Sequence, residues 1–427
     1  MRLNVTRPYH LLLRLVPEQI RCIGGETLHE MLRPSIGQLA DTKETTGVRI
    51  EPWKYGAKAA ACISADFELA WAFQYAKSDR ASDAGVRTRT CFDRLLRALQ
   101  EAKIPVTWAV VGHLLLDDCS RDPDTGLAHA NLPRPEPYSN RNWTFEAGDW
   151  YQHDPCTSLG EDPAWYAPDL IDKLLLSPGL NEIGCHSFSH TDFSDRNCPP
   201  ELARAELRAC QDLAAKLGVR LRSFVFPGNF EGNYDVLARM GFVAYRGSTN
   251  AHLSYPVKAR GVWNLRGSLQ LFDPAVDYRR RIPHYVEKAL DTGTLLHMNF
   301  HPSEVDSQTV ERTLVPALRY LKGFEERGLI WFGSMDEIAA YCEARSLAVV
   351  RATTGSHGVM RIDIESTFDS DKYSKASLTL SLPWVGSIPR CTIDGVDSHP
   401  GKNCFAKNGR LFITIDHLSH AVTLELS

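Results

Sequence analysis

Between residue 57 and about residue 345, short apolar runs alternate with amphipathic stretches, and the apolar runs end in polar side chains. No other feature of the chain constrains its fold as strongly. The run KAAACISADFELAW is strand-like and ends in acids. RTRTCFDRLLRALQEAK follows, with Phe92, Leu95, Leu96 and Leu99 at i, i+3, i+4, i+7 spacing, which predicts a helix. IPVTWAVVGHLL reads as a strand buried on both faces. The rhythm resumes at APDLIDKLLLSP (helix) and LNEIGCHS (strand), then PPELARAELRACQDLAAKLG, a helix with proline at its start and Gly218 as its stop. RSFVFPGN, FVAYRG, TLLHMNFHP and LIWFGS read as further strands, each followed by helix or turn. About seven such strands predict a parallel α/β fold and favour barrel-like closure over an open sheet.

Three other segments depart from this pattern. Residues 1–56 have no long period and are expected to form a peripheral segment with a helix near 25–33. Residues 117–163 form a long Pro-, Asp- and Asn-rich insertion, a length that usually signals function. Its aromatic residues, with Trp165 and Tyr166 just beyond, suit either a sugar-binding rim or a satellite cluster that pins the loop. Residues 346–427 alternate with period two between Gly, Pro, Asn and Asp, which predicts a small antiparallel β-sandwich.

The chain has 427 residues, 43% hydrophobic and 23% charged, which fits a folded globular protein of more than one unit. The net charge of −4 offers no global attraction to nucleic acid or an anionic membrane. No apolar run reaches the roughly 20 residues of a spanning helix. Arg14 interrupts the N-terminal apolar patch, so a cytoplasmic location is expected. The eleven cysteines contain no C-x-x-C pair, which argues against a disulfide framework and against a thiolate zinc site. Cys62 and Cys185 read as small buried hydrophobes.

In parallel α/β folds, chemistry gathers at the C-terminal ends of strands, and four such ends stand out. In SADFE, Asp66 and Glu68 share a face with Phe67 opposite; the two acids repel unless a cation lies between them or one stays protonated. In HSFSH, His186 and His190 can converge on one metal if the chain turns helically, with Asp192 as a supporting partner. In SFVFPGNF, Pro227 and Gly228 end the strand sharply and expose backbone N–H groups suited to an oxyanion. In TLLHMNFHP, His297, Asn299 and His301 share a face; His301, nearest the end, is the better general acid, and His297 reads as a buried, hydrogen-bonded histidine.

In this order, SADFE, HSFSH, FVFPGN and NFHP resemble the motifs of the polysaccharide deacetylase family, carbohydrate esterases related to chitooligosaccharide deacetylases. The resemblance spans about residues 57–345 and implies a distorted (β/α)7 barrel with one divalent metal, usually zinc. It implies His186, His190 and Glu68 as ligands, Asp66 as general base, His301 as general acid, and Pro227, Gly228 and Asn229 at the substrate or oxyanion turn. Three positions depart from the family pattern. Phe67 separates the acids, as in relatives acting on cyclic amides or surface polysaccharides, so the roles of Asp66 and Glu68 could be exchanged. Val225 stands where an arginine usually holds the base, leaving Arg246 or Arg266 as replacements, and Asn229 stands for the last glycine of the turn.

The expected function is therefore metal-dependent removal of N-acetyl groups from an amino-sugar glycan during surface polysaccharide assembly. Hydrolysis of a small or cyclic amide is the second reading. An inactive carbohydrate-binding protein on the same fold is the third.

Overall fold

The alanine-rich run at residue 59 forms the centre of the sheet. The computed structural model describes residues 34–426 apart from 46, 74–79, 178, 248–251, 273–276, 356–358, 399–400, 402 and 419–420, so the helix expected near 25–33 lies outside the described residues. Ten strands share the main sheet: Ala59–Phe67 (β1), Val106–Val110 (β2), Asn181–Cys185 (β3), Ser223–Val225 (β4), Ala244–Arg246 (β5), Val257–Ala259 (β6), Val262–Asn264 (β7), Leu269–Gln270 (β8), Leu295–Phe300 (β9) and Ile330–Phe332 (β10). Their order is β6-β7-β5-β4-β3-β2-β1-β9-β8, with β10 beside the first residues of β1. Every pairing is parallel except β6–β7.

The sheet curls strongly, but its path of paired strands does not close among the described residues. In a flat sheet, β5 and β1, separated by three strands, would lie about 19 Å apart, yet Arg246 on β5 bonds Asp66 on β1 at 2.6 Å. The segment between β7 and β8 bonds both flanks of the curl, with Leu265 N donating to the Tyr245 carbonyl and Ser268 N to the His297 carbonyl. Arg260 and Gly261 both adopt positive φ and fold β6 back antiparallel on β7, which ends the parallel run.

Alternation along β1 separates two cores. Ala59, Ala61, Ile63, Ala65 and Phe67 face an outer core that includes Phe92, Leu95, Leu96 and Leu99 of the helix Arg80–Ala102. Ala60 and Cys62 face an inner core with Ala109 and Val225. Ser64 and Asp66 continue that inner face toward the strand's C-terminal end. The interior is tight: a Cβ at Gly184 would meet the Thr107 side chain at 3.1 Å.

The C-terminal region contains two five-stranded antiparallel sheets. One is built from Val349–Thr354, Met360–Glu365, Ala421–Leu426, Cys391–Ile393 and Val396–Ser398. The other contains Leu378–Pro383, Arg410–Ile415 and Cys404–Lys407, joined by Lys43–Thr45 and Val48–Ile50 from the N-terminal segment. Lys43–Thr45 and Val48–Ile50 are thus part of this sheet rather than a peripheral stretch, with Ile50 opposite Leu380. Both sheets contribute to the same core that lines the inner face of the curled sheet. No helix among the described residues is long and apolar enough to cross a membrane.

Candidate active site

Four of the expected residues meet just beyond the C-terminal ends of β1, β3 and β9. Glu68 Oε1 lies 2.9 Å from His186 Nε2 and 3.1 Å from His190 Nε2. All three side chains are buried. The Val225 carbonyl can only accept, so His186 donates to it through Nδ1 at 2.8 Å. In the neutral ring, that leaves the Nε2 lone pair aimed at the Glu68 carboxylate. Burial pushes His190 below the ordinary histidine range, and its Nδ1 has no hydrogen-bond partner.

The turn carrying the two histidines is not helical, contrary to the sequence expectation. Ser187 and His190 adopt positive φ, and Glu206 in the helix Pro200–Lys216 holds the bend from below. Its carboxylate accepts from Phe188 N at 2.8 Å, Ser189 N at 2.9 Å and Ser189 Oγ at 2.7 Å. Asp192 does not support a histidine; it accepts from Asn140, Asn197 and the Ser194 amide, tying the insertion to the turn.

Asp66 has a different environment. Arg246 grips it with two bonds of 2.6 Å, Nη1 to Oδ1 and Nη2 to Oδ2. Burial works to raise the Asp66 pKa, but the guanidinium outweighs it and holds the carboxyl below its usual value. Arg246 Nη1 also donates to Ser64 Oγ, which lies 2.9 Å from His297 Nε2. His297 Nδ1 donates to the Leu265 carbonyl at 2.7 Å, so Nε2 accepts the Ser64 hydroxyl. Burial lowers His297 to about 3, which keeps it neutral. His297 is therefore the buried structural histidine expected from sequence.

His301 lies at the mouth, with Nε2 3.5 Å from Asp66 Oδ2 and Nδ1 3.1 Å from Glu304. Burial disfavours its charge, but Glu304, Glu68 and Asp66 outweigh this and raise it to about 10.

The Pro227–Asn229 turn forms the opposite wall, and one of its two amides, that of Asn229, is occupied. Asn229 N donates to the Phe226 carbonyl and Phe230 N to the Pro227 carbonyl. Of the N–H groups expected there from sequence, that of Asn229 is spent on the turn itself, because Gly228 and Asn229 take left-handed conformations that close it locally. The Gly228 carbonyl accepts from Asn142 and Arg141 of the insertion. Trp143 stacks near His190 at 5.6 Å. The insertion's aromatics, Trp143, Phe145, Trp150 and Tyr151, are all buried, so they pin the loop instead of presenting a rim.

Sequence reasoning left Arg246 as one of two candidates and missed Glu206 and Ser64. The signal for Arg246 was an arginine closing the apolar strand FVAYRG. Val225 and Arg246 are register partners on adjacent parallel strands. Arg246 therefore comes from one strand beyond Val225.

A family model described as "Polysaccharide deacetylase" matches residues 82–245, which include His186, His190 and the Pro227–Asn229 turn but neither acid, nor Arg246, nor His301. No curated protein matches the sequence. A candidate polysaccharide deacetylase from Mycobacterium smegmatis is similar in structure at 14% identity, with 74% of this chain and 96% of that chain covered and a TM-score of 0.47. The allantoinase PuuE is similar at 13% identity, with 68% and 92% covered and a TM-score of 0.44. The similarity to the polysaccharide deacetylase model is thus confined to residues 82–245 of the chain.

Proposed function

We propose that this protein is a metal-dependent hydrolase that removes N-acetyl groups from an amino-sugar-containing glycan, in the assembly of a surface polysaccharide. The observation that carries the reading is the convergence of Glu68, His186 and His190 beside Asp66, a carboxylate with its own arginine. A carboxylate and two imidazole lone pairs with no cation of their own suit a divalent metal, with zinc the best match to this donor set. Such a metal would supply a Lewis acid for the amide carbonyl and make a nucleophilic water available near neutral pH.

The remaining roles fall to the chain's own side chains. Asp66 stays ionised because of Arg246 and takes the proton of the attacking water at Oδ2, the oxygen nearer His301. His301, whose pKa the neighbouring carboxylates raise, gives its Nε2 proton to the departing amine. Glu304, on the far side of the ring, favours the charged form. Pro227, Gly228 and Asn229 shape the wall against which the acyl group rests. Arg246, bonded to both oxygens of Asp66, supports an active enzyme over an inactive binder although Val225 stands where an arginine is usual.

The test is acetate release by purified protein from N-acetylated amino-sugar oligosaccharides, run beside a panel of cyclic amides. Release that stops with chelator and returns with zinc or cobalt is the expected result. Turnover of the cyclic amides alone would transfer the activity to that class. Sugar binding without turnover, or full activity in His186→Ala, would overturn the reading.

A further inference from the structure

A second cluster of metal-type donors lies behind the H-S-F-S-H turn, at the root of the insertion. His113, Cys119, His129 and Asp154 each place one donor atom within 4.8 Å of the others. His113 Nε2 and His129 Nε2 lie 3.1 and 2.9 Å from the same atom, Asp154 Oδ2. Cys119 Sγ is 3.6 Å from His113 Nε2 and 3.7 Å from Asp154 Oδ2. Tetrahedral zinc, with bonds of about 2.0–2.1 Å to nitrogen and oxygen and about 2.3 Å to sulfur, sets neighbouring ligand atoms about 3.3–3.6 Å apart. We propose that these four residues form a closed structural site for a divalent zinc-type ion.

The surrounding bonds favour this arrangement over a chance grouping. His113 Nδ1 faces the Trp165 carbonyl at 3.3 Å, which assigns the proton to Nδ1 and turns the Nε2 lone pair toward Asp154. A lone pair facing a buried carboxylate calls for a cation between them. Asp154 Oδ1 accepts from Cys156 N at 3.0 Å, which fixes the carboxylate and leaves Oδ2 for the cluster. Tyr166 OH accepts from Thr157 N at 3.0 Å, so its own hydrogen is available to Cys119 Sγ at 3.2 Å. Burial raises the Cys119 thiol to about 12, so a bound ion would be needed to hold the thiolate that this hydroxyl can then bond. Each of these contacts orients a ligand in the way that outer partners do in metal sites. With four protein ligands no position remains open, so the site is structural rather than catalytic.

Its position explains its use. The insertion carries the two-residue strands Tyr138–Ser139 and Thr144–Phe145, and its two ends pair where Cys119 N donates to the Thr157 carbonyl at 3.0 Å and Leu159 N to the Asp117 carbonyl at 2.8 Å. Ligands running from His113 to Asp154 would tie both ends of the loop together. His113 N also donates to the Phe188 carbonyl at 3.0 Å, and the His113 and His129 rings pack on Phe188 at 5.7 and 5.1 Å. The site thus braces the back of the turn whose front presents His186 and His190.

Cobalt substitution separates the two centres, because only this cluster contains a thiol. Cobalt-loaded full-length protein should show a near-ultraviolet sulfur-to-cobalt charge-transfer band, kept in His186→Ala and lost in Cys119→Ser. Zinc content should be about two per chain in the wild type and about one in either variant. His129→Ala, which keeps the sulfur, should weaken the band and lower the metal content as well. Absence of the band in the cobalt-loaded wild type would overturn the proposal, whatever the variants' folding. So would a band or zinc content unchanged by Cys119→Ser. Neither result bears on catalysis at Glu68.

Discussion

Asp66 and Glu182 are buried carboxylates on the inner face of one sheet, near opposite ends of the strands that carry them. Asp66 is the eighth residue of β1 and Glu182 the second of β3. Asp66 has a guanidinium bonded to both oxygens, and its pKa is lowered. Glu182 has Thr107 Oγ1 at 2.6 Å, Ser223 Oγ at 2.5 Å and the Asp336 amide at 3.3 Å. Burial, with Asp336 nearby, raises Glu182 to about 8. The nearest ammonium, Lys375, is bonded to Asp336 instead, at 2.9 Å. Both acids are desolvated; a cation within bonding distance decides which one keeps its charge. Arg246 cannot shed its proton, so it commits Asp66 to the anionic form that a general base requires.

The largest effect should come from exchanging the Asp66 carboxylate for an amide. Asp66→Asn should lower kcat by about 10²–10⁴-fold, the usual worth of a positioned base, while leaving metal content at the Glu68 centre intact. Glu68→Ala should lose both activity and that metal. Metal lost in Asp66→Asn and retained in Glu68→Ala would exchange the two roles.

Next in size is Arg246→Met, which tests what the cation does for Asp66. Removing one partner of a buried pair costs about 3–5 kcal/mol when the other stays charged, which urea titration would measure. A lowered carboxylate pKa stabilises the fold above the unfolded value of about 3.9, and that contribution is lost as pH falls through the folded value. Without Arg246 the Asp66 pKa rises, so the acidic limb of the pH–rate profile should move to higher pH. An unmoved limb would make Arg246 a purely structural residue.

What the sequence made legible follows one physical division. Local period placed β1, β2, β3 and β9 and turned Asp66 and Glu68 to one side, away from Phe67. Partnership across the sheet has no local signature. Arg246 reaches Asp66 from 180 residues away, and Ile50 finds Leu380 because strand pairing is blind to chain distance. The insertion's aromatics read equally well as rim or core, since composition does not record burial. The donors His113, Cys119, His129 and Asp154 match no short motif, so counting C-x-x-C pairs passed over them.

Near pH 4, the smallest expected effect is that of the same amide exchange at the other acid. Glu182 has a folded pKa raised to about 8, so its contribution to stability is complete below the unfolded value of about 4.3 and is lost as pH rises through about 8. Across that window it should give a falling stability with a slope of at most about 1.4 kcal/mol per pH unit. Glu182→Gln matches the neutral form in shape and can still bond the Thr107 and Ser223 hydroxyls, so it should change little near pH 4 and flatten the slope above it. Denaturant titrations at pH 4.5, 6 and 8 would read this directly. A slope equal to the wild type's, or a loss as large as that of Arg246→Met, would mean that Glu182 is held charged. The two carboxylates would then differ in position alone, and Arg246 would not be what sets Asp66 apart.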